Sequence, residues 1–202
     1  KRAITAFMDF SPDIVFVIKG TRLFPSTLKF FKTHGGINST LICYTQDDMM
    51  GRHNQSSYWR RSTRLWDIFI TTKSYNCGPE ELPKLGVKDP IFLDNGYCET
   101  FHFPYYTSNN KTVDVIFVGS AEYERAKSIK ALADSGVHIT VYGSLWDKKE
   151  FEFIKCENIE LNCRELRGLE YAKAISSAKI ALCFLRKLNR DNQTVRSTEI
   201  PA

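Results

Sequence analysis

The sequence predicts an α/β protein made of two Rossmann-like domains, each with a parallel sheet covered by helices. Three observations predict this class. Short apolar runs rich in β-branched residues recur along the chain, segments with apolar residues three and four apart alternate with them, and glycines stand at many of the joins. Strands that alternate with helices pair in parallel, because each helix returns the chain to the same end of the sheet.

The first domain is predicted to span residues 1–104 and to contain four strands. Because these runs are short and apolar, they are typical of strands in the interior of a sheet. The four predicted strands are Asp13–Lys19, Ser39–Thr45, Asp67–Thr72 and Pro90–Leu93, the first of them buried.

Helical segments separate these strands. Lys1–Phe10 has the pattern of the end of a helix. Pro25 begins a second helix, since proline suits the first turn, and Gly35–Gly36 ends it. A shorter helix is predicted around Pro79–Leu85, whereas residues 49–61 are polar and irregular.

Residues 105–111 are polar and without periodicity, so they are interpreted as the linker to a second domain at 112–202. That domain begins with a βαβ unit. Its strands are Val113–Val118 and His138–Tyr142, and the helix between them is stopped by Gly136. The apolar face of this helix is formed by Ala126, Ile129, Leu132 and Ala133.

The second domain continues with an amphipathic helix near Glu165–Ser177 and a strand at Lys179–Phe184. A polar loop at 186–193 follows, and Thr194–Ala202 has the pattern of a helix start. The first domain is expected to lack its opening strands and the second its closing strands.

The composition is that of an ordinary folded protein, with 43% hydrophobic and 25% charged residues. The net charge of +5 permits an anionic ligand but does not indicate nucleic acid. Six cysteines without a CxxC pair favour free thiols in a reducing compartment over disulfides or a metal. With no signal peptide and no apolar run near about 20 residues, a cytoplasmic protein without a transmembrane segment is expected.

Several motifs that would indicate other chemistry are absent from the sequence. There is no HExxH, no GxSxG, no Walker loop and no GxGxxG after a strand, which argues against a dinucleotide oxidoreductase. There is also no Asp-x-Asp between apolar strands, which argues against a metal-dependent single-domain transferase.

The carboxyl ends of the strands are the predicted ligand edge of the second domain, as in other βαβ units. Gly119 and Ser120 follow its first strand, and Arg125, Tyr142 and Gly143 lie on this edge or within a turn or two of it. A diphosphate binds backbone N–H groups at such a turn together with a cation, and a glycine lets the backbone come close.

The order and spacing of several short motifs resemble the CgeB family of glycosyltransferase-like proteins, which is related to the glycosyltransferase group 1/family 4 set with the GT-B fold. The resemblance is good across residues 112–202 and looser across 13–104. The residues that carry it are Asp114, Phe117, Gly119, Glu124, Arg125, Tyr142, Gly143, Trp146, Glu170, Tyr171, Lys179–Leu182, Thr194, Arg196 and Glu199.

The resemblance implies a nucleotide-sugar donor site in the second domain. Arg125 lies where related transferases have a basic residue for the diphosphate, and Arg196 is the second candidate cation. Glu199 matches the glutamate that accepts hydrogen bonds from both ribose hydroxyls. The alternatives are a surface Arg125 paired with Glu122 or Glu124, and a Glu199 that only stabilises a helix start.

Four further residues are candidate donor contacts. Tyr142, Gly143 and Trp146 follow a central strand near where a nucleobase could stack, although aromatic residues at strand ends are more often hydrophobic plugs. Asp191, in the loop before Thr194, is a candidate contact to sugar hydroxyls or to phosphate.

Asp47 and Asp48 are the candidate catalytic residues. They end a strand of the first domain, where a carboxylate would orient an acceptor hydroxyl or act as a base. The family often has an Asp-Asp pair here, usually followed by proline, whereas this chain has Met49. The alternative is a pair of loop carboxylates that cap the next segment.

The resemblance thus implies a hexosyltransferase-like enzyme that moves a sugar from a nucleotide-diphosphate donor to an acceptor hydroxyl, in a cleft between the domains, with no metal and no cofactor. Kinship with family 4 implies retention at the anomeric carbon. The alternatives are a non-catalytic nucleotide-sugar or glycan-binding protein of the same fold, and a purely structural pair of Rossmann-like domains.

Overall fold

The computed structural model describes residues 2–34 and 39–202. Six α-helices are found there: α1 Arg2–Phe10, α2 Pro25–Thr33, α3 Ser57–Ser62, α4 Tyr123–Asp134, α5 Gly168–Ser176 and α6 Arg196–Glu199. The eight strands are β1 Ile14–Ile18, β2 Thr40–Thr45, β3 Ile68–Thr71, β4 Ile91–Phe92, β5 Val113–Val118, β6 Ile139–Tyr142, β7 Ile159–Asn162 and β8 Ala178–Ala181. The predicted helix end at Gly35–Gly36 lies outside the described residues.

The chain divides into two compact units, each with one sheet of four parallel strands. This confirms the predicted α/β class with parallel sheets, and it is compatible with two Rossmann-like domains. Unit 1 comprises Lys1–Asn95 and Arg186–Asn192, and unit 2 comprises Gly96–Leu185 and Gln193–Ala202. The division therefore falls before the predicted linker, and the loop 186–192 belongs to unit 1.

Unit 1 has the strand order β1-β2-β3-β4. Its core forms where Leu28 and Phe31 of α2 pack with Leu41 and Phe69 of the sheet, and Trp59 of α3 is fully buried in the same cluster. Apolar residues on α2 and α3 thus fix these helices against the strands.

Strand β1 differs from the prediction that it is buried. Its side chains alternate, and those of Ile14, Phe16 and Ile18 are exposed by 58%, 55% and 72%. A period of two places alternate residues on opposite faces of a sheet, so a run that is apolar throughout can still be buried on one face only.

Unit 2 has the strand order β7-β6-β5-β8. The chain moves outward from β5 to β6 and β7, and then returns to place β8 on the other side of β5. Such a reversal next to β5 is the position at which open α/β sheets bind ligands, outside the carboxyl ends of the strands.

Strand β5 is buried on both faces, as predicted. Phe117 packs with Ile129 of α4 on one face, and Val118 packs with Tyr171 of α5 on the other. Helix α4 ends at the predicted place, where Gly136 has a φ of +90°. Only Leu132 of its predicted apolar face is exposed.

Three local features differ from the sequence prediction. Strand β7 was not predicted, and the irregular stretch at 49–61 contains α3, whose first turn is capped by the Ser56 hydroxyl accepting from Trp59 N. The helix predicted around Pro79–Leu85 is only a 3₁₀ turn at Pro83–Leu85.

Within the described ranges, none of the helices has the length and apolar character needed to cross a bilayer.

Candidate functional site

A cavity of about 230 Å³ opens at the carboxyl ends of β5 and β6 in unit 2. It contains four of the predicted donor-site residues: Gly119, Ser120, Gly143 and Arg196. The complete lining is Val118, Gly119, Ser120, Gly143, Ser144, Glu165, Leu166 and Arg196. The cavity therefore lies at the edge of the sheet where βαβ units bind ligands.

The two glycine turns of this cavity lie in direct contact. Gly119 N donates to Tyr142 O at 2.8 Å, which continues the β5–β6 pairing beyond the strands. Gly143 has a φ of +147°, and a Cβ placed there would lie 2.0 Å from Gly119 O. Only glycine fits at position 143, because any side chain would overlap the neighbouring main chain.

Trp146 holds the Gly119 turn from behind. Its indole is fully buried, meets the ring of Phe117 edge to face, and donates through Nε1 to Gly119 O at 2.8 Å. Trp146 is not among the lining residues, and neither is Tyr142, whose ring lies under the Arg164 guanidinium. Trp146 is therefore a hydrophobic plug, which is the alternative to base stacking given in the sequence analysis.

Arg196 brings a guanidinium group to the Gly119 turn. One of its terminal nitrogens lies 3.3 Å from the position that a Cβ at Gly119 would occupy. Its Nε is buried and has no hydrogen-bond partner among the residues that the structure describes. A cation beside a glycine turn suits an anionic ligand, because a planar guanidinium can give two parallel hydrogen bonds to phosphate oxygens.

Arg125 contacts the same turn but does not line the cavity. Its side chain is only 12% exposed, donates to Ser120 O at 3.1 Å, and lies 3.5 Å from the Glu122 carboxylate. The ion pair with Glu122 is the alternative considered from the sequence. In this position Arg125 orders the turn, since it ties the Ser120 carbonyl to the start of α4.

Glu199 lines a different cavity of unit 2, of about 170 Å³, together with His102. Its Oε1 lies 3.7 Å from His102 Nε2. Burial and then the nearby Glu199 carboxylate raise the pKa of Tyr171. The predicted donor residues at 119, 125 and 199 therefore do not share one hollow: Gly119 and Arg196 meet, whereas Glu199 faces His102 and Tyr171.

The two candidate catalytic carboxylates lie in unit 1 and both are paired. Asp47 forms an ion pair with Lys19 at 2.5 Å. Asp48 is 2% exposed and accepts hydrogen bonds from Arg190 Nε, Arg190 Nη2, Asn76 Nδ2 and Met50 N. A carboxylate with so many donors is suited to holding the structure together and less to taking up a proton.

Asp48 is expected to make unit 1 sensitive to acid. Burial raises its pKa, but the hydrogen bonds from Arg190 and Asn76 outweigh burial, so the pKa lies below its ordinary value of 3.8. A carboxyl with a lowered folded-state pKa stabilises the protein above its unfolded-state pKa, and this contribution is lost as the pH falls through the folded-state pKa.

We therefore expect the gap in unfolding free energy between wild type and Asp48→Asn to be constant above about pH 5 and to narrow below pH 4. Urea denaturation at pH 7, 5, 4 and 3 measures this gap. The exposed variant Glu80→Gln serves as the control. A gap that is unchanged at pH 3 would show that Asp48 does not contribute in this way.

Asp191, predicted as a donor contact, is in unit 1 and not at the cavity. Its carboxylate lies 2.5 Å from Lys73 Nζ, and both side chains are 4% exposed. It also accepts from Asn189 Nδ2 at 2.7 Å. The nearby Asn189 Oδ1 accepts from Asp48 N at 2.9 Å, so the segment Arg186–Asn192 is fastened to unit 1 at several points.

Four residues of the cavity were not among the predicted site residues: Val118, which ends the predicted strand, and Ser144, Glu165 and Leu166. Ser144 directly follows Gly143 and would have been found by extending the turn by one residue. Glu165 and Leu166 follow β7, whose sequence IELN mixes apolar and polar residues and was not recognised as a strand. A strand there would have predicted a third loop at the same edge.

Among the described residues, no group of three or more His, Cys, Asp or Glu side chains is arranged to hold a metal ion.

No protein-family model matches the chain, and no curated protein is found to match it. The CgeB-like resemblance therefore stays a prediction from the motifs.

Proposed function

We propose that the protein is a glycosyltransferase of the GT-B type that takes its sugar from a nucleotide-diphosphate donor, with the diphosphate bound in the unit 2 cavity. The observation that supports this most directly is the meeting of Gly119, Gly143 and Arg196 at the carboxyl ends of β5 and β6. The Gly119 and Gly143 N–H groups donate to Tyr142 O and Asn162 O, so the groups offered to one anion beside the strand-order reversal are the Arg196 guanidinium and the Ser120 and Ser144 hydroxyls.

In the proposed reaction the bond between the anomeric carbon and the diphosphate oxygen breaks, and a bond from the acceptor oxygen to that carbon forms. The proton of the acceptor hydroxyl passes to solvent water, and the nucleoside diphosphate leaves with the bonding electron pair. Arg196 would stabilise the negative charge that develops on the leaving diphosphate, which is where a fixed cation lowers the barrier.

A second candidate is a nucleotide-sugar-binding protein without catalysis. It is favoured because both predicted catalytic carboxylates are held in ion pairs, Asp47 with Lys19 and Asp48 with Arg190. A base must be able to reach the acceptor proton. Release of free UDP or GDP from UDP-sugars or GDP-sugars separates an enzyme from a binder.

The binding step is tested by calorimetry and thermal-shift titration of the chain with UDP, GDP, dTDP and CMP. At least one diphosphate should bind more tightly than the monophosphate, because the second phosphate adds contacts to the cavity. The melting temperature should rise with nucleotide concentration, because a ligand that binds only the folded state stabilises that state. If none of the four nucleotides binds, the proposal is wrong.

Replacing Arg196 by Gln is expected to weaken diphosphate binding by about ten- to hundredfold, the usual value of a hydrogen bond to a charged group. Isothermal titration with the tightest nucleotide measures the change. The matched control is Lys127→Gln, which removes an exposed cation of unit 2 that pairs with Glu124 at 3.5 Å. Equal losses in the two variants would mean that the effect comes from net charge and not from the cavity.

A further inference from the structure

We propose that unit 1 binds the surface of an anionic phospholipid bilayer through one side of the helical segment Ser57–Leu65. This segment is α3 continued by a 3₁₀ turn at Thr63–Leu65. The contact surface consists of Arg60, Arg61 and Arg64, which we call the arginine face, and of the ring of Phe24 beside it. The inference does not depend on the proposed function, because all of these residues belong to unit 1 and the nucleotide cavity belongs to unit 2.

The helical segment has a buried side and an exposed side, each with residues three and four apart. Trp59, Ser62, Thr63 and Trp66 are at most 6% exposed, and the two tryptophans pack in the core of unit 1. Ser57 and the arginine face occupy the opposite side and are exposed. Because the buried side is fixed by packing, the three arginines are held together at one place on the surface.

The arginine face has no acidic neighbours in the sequence. Residues 49–66 contain four arginines and neither Asp nor Glu. Ion pairs within unit 1 are formed by Lys19, Lys32, Lys73, Lys84 and Arg190. Among the residues that the structure describes, none of the three arginines of this face takes part in one. Since like charges three and four residues apart on a helix repel one another, the missing counter-charge points to an anionic partner.

The arginine side chains keep nitrogen atoms available for phosphate oxygens. Arg60 and Arg61 donate through Nε, to Gln55 Oε1 at 2.5 Å and to Ser57 O at 3.2 Å. These hydrogen bonds leave the terminal nitrogens of both guanidinium groups for an external acceptor. Because a guanidinium can give two parallel hydrogen bonds to a phosphate, phospholipid headgroups are suitable partners.

An apolar ring beside the arginine face favours a bilayer over a nucleic acid. Phe24 is 51% exposed, and its ring centre lies 4.5 Å from that of Tyr58. The Arg61 guanidinium lies over the Tyr58 ring at 5.4 Å, so Tyr58 already has neighbours on its ring. A bilayer accepts a ring such as Phe24 at the headgroup boundary and leaves the arginines at the phosphates. Single-stranded nucleic acids stack on several aromatic side chains in succession, whereas Phe24 offers one.

The test is co-sedimentation of the full chain with vesicles of phosphatidylcholine alone and with vesicles that also contain about 30% phosphatidylserine. Each arginine near an anionic bilayer contributes about fivefold to the partition coefficient, so the mixed vesicles should bind the protein about a hundredfold more tightly. Raising the salt from about 0.1 M to about 1 M should release it, because the Debye length falls from about 10 Å to about 3 Å.

Two triple variants assign the contact to the arginine face. Arg60→Gln, Arg61→Gln and Arg64→Gln combined should lower partition onto the mixed vesicles by about a hundredfold. Arg60→Lys, Arg61→Lys and Arg64→Lys combined keep the positive charge and should stay within about fivefold of wild type. The lysine variant thus separates loss of charge from loss of the arginine side chains.

A matched control removes three cations elsewhere. Lys127→Gln, Lys148→Gln and Lys149→Gln combined change exposed residues of unit 2 by the same net charge and should stay within about fivefold of wild type. Phe24→Ala should weaken partition by about three- to tenfold, because less apolar surface enters the bilayer.

Failure of wild type to bind the mixed vesicles would overturn the inference, and so would a unit 2 control that loses as much as the glutamine variant of the arginine face. A titration with single-stranded RNA covers the other polyanion. RNA binding that is tighter than vesicle binding, and is lost in that glutamine variant, would assign the surface to nucleic acid instead. If circular dichroism shows that the glutamine variant is unfolded, the salt dependence and Phe24→Ala decide.

Discussion

Replacing Gly143 by alanine is expected to destabilise unit 2 by about 3–5 kcal/mol and to abolish the nucleotide binding proposed for its cavity. A Cβ at this position would lie 2.0 Å from Gly119 O and 2.5 Å from Gly119 C, so the two turns must separate. The φ of +147° adds backbone strain for any residue other than glycine.

The loss of unfolding free energy in Gly143→Ala is measured by denaturant unfolding combined with hydrogen exchange of β5 and β6. Two other glycines of unit 2 are matched controls. Gly136 has a φ of +90°, but a Cβ there would have no atom within 4 Å, so alanine should cost only about 1 kcal/mol of backbone strain. Gly96 has neither feature, and its alanine variant should be near wild type. If Gly143→Ala and Gly136→Ala lost the same unfolding free energy, the predicted overlap with Gly119 would be contradicted.

Removing the negative charge of Asp191 is expected to destabilise unit 1 by about 3–5 kcal/mol, which is the usual result of breaking a buried ion pair. Asp191→Asn removes the negative charge that lies 2.5 Å from the Lys73 ammonium, which is only 4% exposed. The segment Arg186–Asn192 should then exchange its amide hydrogens faster, because the Asp191 pair is one of its anchors on unit 1.

A double-mutant cycle with Lys73→Met tests this account of Asp191. The double variant should lose clearly less stability than the sum of the two single variants, since both members of the pair are removed together. The exposed pair Glu80–Lys84 provides the control cycle and should show little coupling. Additive losses for Lys73 and Asp191 would contradict a direct pair.

Much of the local structure could be predicted because it depends on neighbours in the sequence. Strand β5 and helix α4 follow from apolar periodicity, and Gly136 follows from the need for a positive φ at the helix end. The Gly119 and Gly143 turns were found for the same reason, since a strand end in a βαβ unit is visible in the sequence.

The contacts that were missed depend on residues far apart in the chain. Asp191 pairs with Lys73 and Arg190 pairs with Asp48, at separations of 118 and 142 residues, and no local pattern indicates these pairs. Arg190 also has a φ of +46°, which is uncommon for a residue other than glycine. A polar loop that becomes buried by ion pairs has the same composition as one that stays in water, so 186–192 was assigned to the second domain.

The discontinuous make-up of unit 1 limits how the protein can be divided experimentally. A peptide that stops at Asn95 would carry Asp48, Glu81 and Lys73 without Arg190 and Asp191, the oppositely charged residues that they meet in the intact chain. Exchanging the halves with those of another protein at a single junction would therefore separate residues that fold together. A functional chimera needs two additional junctions, one on each side of the segment 186–192. This segment then comes from the same parent protein as the rest of unit 1.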